Sequence, residues 1–286
     1  MLKRTDFFLL LFIAALWGGS YIFIRILVPA LGPWGLVFGR MVLSGGALWL
    51  VALAMRRPWG EWRLWKQYLL IAFFASFAAQ LLISWAALTL NAPTLAILNA
   101  TAAMFSALIS VRAMGEPFTR SRALGLILGV IGVAMVVGFT PLKFTAAVAL
   151  AFGAALAAAL GYAIANVYTA VRLGKRPPLE IAIVQSGFAA AMVLPLGLPA
   201  FATAMPVGPG IWAALLTLSL ACTALANLLF YTLLQRTTPT VTLSVTYLIP
   251  CFSLLWGLLF LGETISLMQY AGFAVVLIAL NLVARR

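Results

Sequence analysis

Polar side chains recur four residues apart inside three apolar segments of the sequence: Gln80 and Ser84, Tyr162 and Asn166, and Asn227 and Tyr231. Residues four apart lie on the same face of a helix, so each pair would point in one direction. Amides supply both hydrogen-bond donors and acceptors, and a tyrosine ring supplies a flat apolar surface. This combination is suited to binding a small polar molecule rather than to breaking its bonds.

Other apolar segments carry further polar or aromatic side chains at similar spacing: Trp17, Ser20 and Tyr21, then Asn99, then Thr246. We predict that these residues join the first six on the wall of one substrate-binding cavity. Two structural roles are also open to them: hydroxyl and amide groups link membrane helices by hydrogen bonds, and the aromatic side chains could be core packing.

The composition of the chain is that of an integral membrane protein. Of its 286 residues, 65% are hydrophobic and 8% are charged, and the mean hydropathy is +1.14. A soluble domain is about 45–50% apolar and about 25% charged. There is no histidine, and Cys222 and Cys251 lie inside apolar runs without metal-binding spacing. We therefore expect a lipid bilayer as the surroundings, and no metal or cofactor.

Ten apolar runs are separated by proline, glycine and charged residues, and each is long enough to cross a bilayer, which takes about 20 residues. The runs, numbered first to tenth in chain order, are 7–28, 34–55, 67–90, 93–111, 121–139, 144–170, 179–200, 211–234, 240–261 and 267–284. The first is expected to be a retained helix rather than a signal peptide, because of its length and its content of Trp17, Tyr21 and Arg25. Little chain is left for a catalytic domain outside the membrane.

The net charge of +13 is explained by membrane topology. If the N-terminus is cytoplasmic, fifteen Lys and Arg residues fall on the inner side, and Lys143 alone falls in an outer loop. Basic residues are retained in cytoplasmic loops, so both termini are predicted to be cytoplasmic, in the inner membrane. Nucleic acid is not an expected partner, and no obligatory protein partner is inferred.

An internal repeat divides the chain into two halves, 1–140 and 141–286. The sequences Ala-Pro-Thr at 92–94 and Gly-Glu at 115–116 return as Thr-Pro-Thr at 238–240 and Gly-Glu at 262–263. Each pair of motifs brackets one run, the fourth and the ninth. Five runs per half is an odd number, so the second half would be inverted in the membrane. Inverted repeats of this kind support alternating access to a midplane site. The predicted fold is an all-α integral membrane protein with ten transmembrane helices as two inverted five-helix repeats.

Charged residues within the runs are few. The five acids are all placed at helix ends or in loops: Asp6, Glu61, Glu116, Glu180 and Glu263. Exporters of organic cations generally need a carboxylate inside the membrane, so an uncharged or zwitterionic substrate is favoured. Arg25 and Arg40 are placed toward the outer side, so no basic residue is expected at the middle. Arg40 is expected either to pair with Glu263 as a gating bridge between the halves or to extend to the outer headgroups.

The chain resembles the drug/metabolite transporter superfamily, in particular its EamA-type branch. The resemblance rests on the ten runs in two halves, Trp-Gly-Gly-Ser at 17–20, and Gly-Glu at 115–116 and 262–263. Within this branch the chain is similar to the bacterial aromatic amino acid exporters. The resemblance implies a basket of helices in which the hairpins of runs 3–4 and 8–9 rock around a central cavity. Small multidrug relatives carry a glutamate in the first helix, but residues 14–18 here contain no acid.

The function expected is export of aromatic and other neutral amino acids, or related small metabolites, by alternating access. Gln80, Asn99, Asn166 and Asn227 would bind the amino and carboxylate groups, and the aromatic residues would hold the side chain. The structural and gating residues are predicted to be Arg40, Glu116, Glu263, Pro93, Pro239 and Pro250, with the prolines bending the moving helices.

Other functions stay open at this point. A transporter of drugs, nucleotide sugars or other metabolites could share the architecture, and the coupling could be facilitated diffusion, exchange or proton coupling. An intramembrane enzyme is not expected, because the sequence has no histidine and a single aspartate.

Overall fold

The computed structural model describes residues 3–56, 60–90, 92–115, 117–137, 145–261 and 266–284. Within these ranges the chain forms helices and turns, without a β-strand. The α-helices are α1 (Arg4–Ala54), α2 (Trp65–Ile71), α3 (Ala79–Ala86), α4 (Ala92–Ala100), α5 (Ala102–Met114), α6 (Arg120–Val137), α7 (Ala146–Leu173), α8 (Pro178–Ala204), α9 (Pro209–Ser219), α10 (Ala226–Leu234), α11 (Pro239–Leu243), α12 (Val245–Leu261) and α13 (Leu267–Ala284).

These helices account for all ten predicted runs. Among the described residues, nine helical stretches have the length and apolarity needed to cross a membrane, and a tenth, Leu267–Val283, is slightly shorter. Large apolar side chains such as Phe8, Leu50, Leu150 and Leu259 are 61% to 66% exposed, as residues facing lipid would be. The all-α membrane fold predicted from the sequence is confirmed. The orientation of the termini stays a prediction.

The first two runs form one continuous element with a sharp break. Inside α1, Gly32 has φ 64° and ψ 168°, and it lies between Pro29 and Pro33. A residue with a side chain rarely adopts a positive φ, so glycine is required at this position. The break separates the two runs near the boundary expected from the sequence.

Two pairs of helical irregularities fall at equivalent places in the two halves. The third run contains the first π segment (Ala72–Ala78), and the eighth contains the second π segment (Leu220–Leu225). The fourth and ninth runs, predicted as single helices, are each interrupted once, between α4 and α5 and between α11 and α12. The repeat inferred from short sequence motifs is thus matched by the backbone.

The same kind of local hydrogen bond is found at both interruptions. The Thr101 hydroxyl donates to the carbonyl of Leu98 at 2.6 Å, and the Ser244 hydroxyl donates to the carbonyl of Val241 at 2.6 Å. Such bonds to a carbonyl three residues back compete with the helical pattern and bend the chain. Pro239 is the first residue of α11, where proline begins a helix rather than bending it.

The fifth and tenth runs pack closely against each other through glycine residues. A Cβ atom on Gly125 would lie 2.9 Å from the carbonyl oxygen of Ala279, and one on Gly132 would lie 2.8 Å from Val276 Cγ2. A Cβ on Gly272, in the opposite direction, would lie 2.7 Å from the backbone nitrogen of Val136. Small residues therefore bring α6 and α13 into backbone contact.

Polar contacts join distant elements at the end of the bundle that holds the N-terminus. Arg236 Nη1 lies 3.5 Å from Asp6 Oδ1, and Arg176 forms an ion pair with Glu61. At the same end, the Tyr68 hydroxyl donates to the Glu180 carboxylate. Asp6, Glu61 and Glu180 are thus at helix ends as expected, whereas Glu116 and Glu263 lie outside the described residues.

Candidate functional site

A cavity of about 120 Å³ lies among helices of both halves. Its wall includes all eleven side chains that the sequence predicted for the site: Trp17, Ser20, Tyr21, Gln80, Ser84, Asn99, Tyr162, Asn166, Asn227, Tyr231 and Thr246. They are contributed by α1, α3, α4, α7, α10 and α12. The structure therefore brings the predicted set together at one place. That the set binds substrate stays a prediction.

Two polar residues on the wall come from runs that were not expected to contribute. Arg40 in the second run and Gln185 in the seventh both line the cavity. The predicted site residues came from six other runs. Arg40 and Gln185 were missed because they are not part of a series of polar residues spaced three or four apart. The remaining lining is mostly apolar: Ile24, Ala75, Ile83, Ala165, Phe230, Leu243 and Ile249.

Three amide side chains on the cavity wall have oxygens without a hydrogen-bond partner. Gln80 Oε1, Asn99 Oδ1 and Asn166 Oδ1 are buried and have no hydrogen-bond partner in the protein. Leaving a buried polar atom unpaired costs about 1–3 kcal/mol. All three residues line the same cavity, so a rotation of their side chains would turn these oxygens towards a ligand there.

Asn166 is held between the cavity and a neighbouring helix. Its Nδ2 donates to the carbonyl oxygen of Pro239 at 3.2 Å, which links α7 to the start of α11. Earlier on α7, a Cβ on Gly161 would lie 2.9 Å from the carbonyl oxygen of Phe74. Glycine thus allows α7 to pack directly on the first π segment.

Gln185 is fully engaged by protein groups. Its Nε2 donates to Ser76 Oγ at 2.5 Å, and its Oε1 accepts a hydrogen bond from the Tyr231 hydroxyl. These bonds connect α8, the first π segment and α10. Tyr231, predicted to hold a substrate side chain, therefore also fixes the position of Gln185.

The aromatic part of the wall is built on close helix packing. The Trp17 and Phe230 rings lie 5.2 Å apart between centroids, with an interplanar angle of 43°. A Cβ on Gly18 would lie 2.8 Å from the Cβ of Phe252, so glycine lets α1 approach α12. The Trp-Gly-Gly-Ser motif thus combines a ring at the cavity with a small residue at the helix contact.

Arg40 corrects an expectation drawn from the sequence. The prediction that no basic residue faces the middle is wrong, since Arg40 shares the cavity wall with Tyr21 and Tyr162. Its Nε donates to Thr223 Oγ1 at 2.6 Å. Its expected partner Glu263 lies outside the described residues, and so does the Arg25 side chain. No Asp or Glu is found among the described residues that line the cavity.

The three prolines predicted to have gating roles lie in different helices. Pro250 lies inside α12, and Pro239 contributes its carbonyl oxygen to the Asn166 contact. The backbone of Pro93 is in α4, but its side chain is outside the described residues.

In the described part of the chain, His, Cys, Asp and Glu form no group of three that could hold a metal ion.

Comparisons with known proteins agree with this architecture. A sequence model described as the EamA-like transporter family matches residues 6–138 and again residues 149–285. A protein from Archaeoglobus fulgidus, described as an uncharacterized transporter, is 30% identical over 262 residues, covering 87% of this chain and 86% of the relative. A solved structure, described only as the crystal structure of a protein, has a TM-score of 0.80 at 16% identity, covering 98% of this chain and 96% of the other. This last likeness concerns the fold alone.

Proposed function

This chain belongs to the EamA-like transporter family, and we propose that it exports neutral amino acids, or closely related zwitterionic metabolites, across the cytoplasmic membrane by alternating access. The observation that carries the proposal is that three amide side chains lining one cavity have unpaired oxygens: Gln80 Oε1, Asn99 Oδ1 and Asn166 Oδ1. An ammonium group has three donors and no acceptor. Its donors are therefore matched by these three acceptors.

The rest of the cavity is suited to a small side chain. Trp17 and Phe230 provide a contiguous aromatic surface, and Ile83 and Ile249 add aliphatic contacts. The volume of about 120 Å³ is below the roughly 300–1,000 Å³ typical of sites for drug-sized ligands. The size is compatible with a small ligand such as an amino acid.

Alternating access is supported by the way in which both halves enclose the cavity. Gln80 and Asn99 come from the first half, and Asn166 and Asn227 come from the second. A rocking motion of one half against the other would expose these groups to either side in turn. The polar contacts at the N-terminal end, such as Asp6 with Arg236, would close that end in the state described.

A ligand-binding experiment tests the substrate class. Purified protein in detergent is heated with alanine, threonine, methionine or tryptophan, and with choline or a nucleotide sugar as controls. A ligand that binds the folded state raises the unfolding temperature as its concentration increases. We expect this stabilisation from neutral amino acids and not from the controls. Stabilisation by choline or by the nucleotide sugar alone would support the alternative transporter class instead.

A further inference from the structure

Arg40 is a permanent positive charge on the cavity wall, and no described carboxylate compensates it. The ion pairs of the described residues involve other arginines, Arg176 with Glu61 and Arg236 with Asp6, at the end of the bundle. The described cavity residues contain no Asp or Glu. A charge inside the membrane is costly unless it is paired or hydrated. An anionic group on the ligand would supply the partner that this arginine lacks among the described residues.

Thr223 fixes the orientation of this arginine. The Thr223 hydroxyl donates to the carbonyl oxygen of Leu218 at 2.8 Å, and the same hydroxyl oxygen accepts from Arg40 Nε at 2.6 Å. Thr223 belongs to the second π segment, so a residue of the second half positions an arginine of the first. With Nε occupied, the two terminal nitrogens of the guanidinium are left for the cavity, where a planar fork binds a carboxylate through two parallel bonds.

We propose that Arg40 binds the α-carboxylate of the substrate and that Thr223 is its positioning residue. This inference rests on the proposed function, because the ammonium group is assigned to the amide oxygens of Gln80, Asn99 and Asn166. The cavity then binds the ammonium group through hydrogen-bond acceptors and the carboxylate through a charged hydrogen-bond donor. Amines, alcohols and amides that lack a carboxylate should bind more weakly. A phosphate would satisfy the guanidinium in the same way, so the test includes it.

The ligand series needs no mutation. Binding to the wild-type protein is measured for alanine, threonine, methionine and tryptophan, for the four corresponding amino acid amides, and for phosphoethanolamine. Hydrogen bonds to charged groups contribute about 1.5–3 kcal/mol, which is about 10- to 100-fold in affinity. We expect each amide to bind at least about tenfold more weakly than its amino acid. Equal binding of the amides would overturn the role of Arg40, and preferred binding of phosphoethanolamine would replace the carboxylate by a phosphate.

Variants then assign the preference to the two residues. Arg40→Gln is expected to bind an amino acid and its amide with similar affinity, and Arg40→Lys to keep a reduced preference. Thr223→Val is expected to weaken amino acid binding severalfold and amide binding little, so the preference over the amide should be reduced; an unchanged preference would contradict the positioning role. Arg172→Gln and Thr232→Val are the matched controls, because neither residue lines the cavity.

The outcomes separate this inference from the function on which it rests. If the wild-type protein binds no neutral amino acid, the proposed function fails. If it binds amino acids but folded Arg40→Gln keeps the wild-type preference, only the role of Arg40 fails. Should Arg40→Gln not fold, Thr223→Val and the wild-type ligand series still decide the matter.

Discussion

Individual polar residues of the cavity fall into two groups, according to whether the protein satisfies them. Gln185 has partners for both ends of its amide, in Ser76 and Tyr231. Asn99 Oδ1 and Asn166 Oδ1 have none. Since buried polar groups are normally hydrogen-bonded, the first group serves to hold the wall in place and the second is expected to contact the ligand. Substitutions in the two groups should have different effects.

Replacing an unpaired amide should impair transport without unfolding the protein. In Asn166→Leu the acceptor for the ligand and the donor to the Pro239 carbonyl are both lost. We expect uptake into proteoliposomes to fall at least about tenfold, the equivalent of one hydrogen bond to a charged group. The control on the same helix is Thr169→Val, whose hydroxyl bonds only to the Ala165 carbonyl. Wild-type uptake by Asn166→Leu would remove this residue from the site.

Replacing a residue that holds the wall should weaken substrate binding indirectly. Tyr231→Phe leaves Gln185 Oε1 without its donor, so the Gln185 side chain is less well fixed. We expect the KM for uptake to rise about twofold to tenfold, in line with a net 0.5–1.5 kcal/mol per hydrogen bond. Tyr247→Phe is the matched control, because its hydroxyl contacts the Leu126 carbonyl away from the cavity. An unchanged KM in Tyr231→Phe would show that this bond does not shape the site.

At the level of helices, composition was enough to predict where the helices lie, but not where their regular pattern is interrupted. Length and apolarity were sufficient to find all ten runs. The breaks after Ala100 and Leu243 were not foreseen, because Thr101 and Ser244 have the same residue types as any helical hydroxyl. The two π segments were missed for a related reason, since their sequences are as apolar as those of the flanking helices.

The cavity residues were predicted well in helices that carry several polar residues at a spacing of three or four. They were predicted poorly where a helix contributes an isolated polar residue. Periodic spacing identified Tyr162 and Asn166, which share one face of α7. A lone Arg40 or Gln185 has no periodicity, so its direction depends on how its helix packs. The length of the arginine side chain made its direction harder to predict, because it could have reached either the headgroups or the interior.

Close packing of the fifth and tenth runs leads to a prediction about stability. In Gly132→Ala the new Cβ would lie 2.8 Å from Val276 Cγ2 and 2.9 Å from the Val276 nitrogen. Overpacking of this kind costs about 1–3 kcal/mol. We therefore expect a lower unfolding temperature in detergent, with the KM of the remaining folded protein unchanged.

The matched control for this prediction is Gly153→Ala. A Cβ at Gly153 meets nothing within 4 Å, so alanine there should be neutral or stabilise the helix by up to about 1 kcal/mol. If Gly132→Ala were as stable as Gly153→Ala, the contact between α6 and α13 would be looser than described.

For the whole molecule, the same family model matches each of the two halves separately. The two halves also contain the same kinds of helical irregularity. The π segments and the interrupted helices lie in the runs that the family resemblance assigns to the rocking hairpins. Helices with π segments and breaks are weaker points at which a chain can bend, and π segments are frequent at functional sites. We expect the motion between outward-open and inward-open states to be concentrated there, while α6 and α13 move as a unit.

The most direct test of the proposed function is uptake by the purified protein in proteoliposomes. Labelled alanine, threonine, methionine and tryptophan are compared with choline and a nucleotide sugar, each with and without an inward proton gradient. We predict saturable uptake of amino acids, and the comparison with and without the gradient distinguishes proton coupling from facilitated diffusion or exchange. Saturable uptake of choline or the nucleotide sugar alone, with none of the amino acids, would contradict amino acid export by this chain.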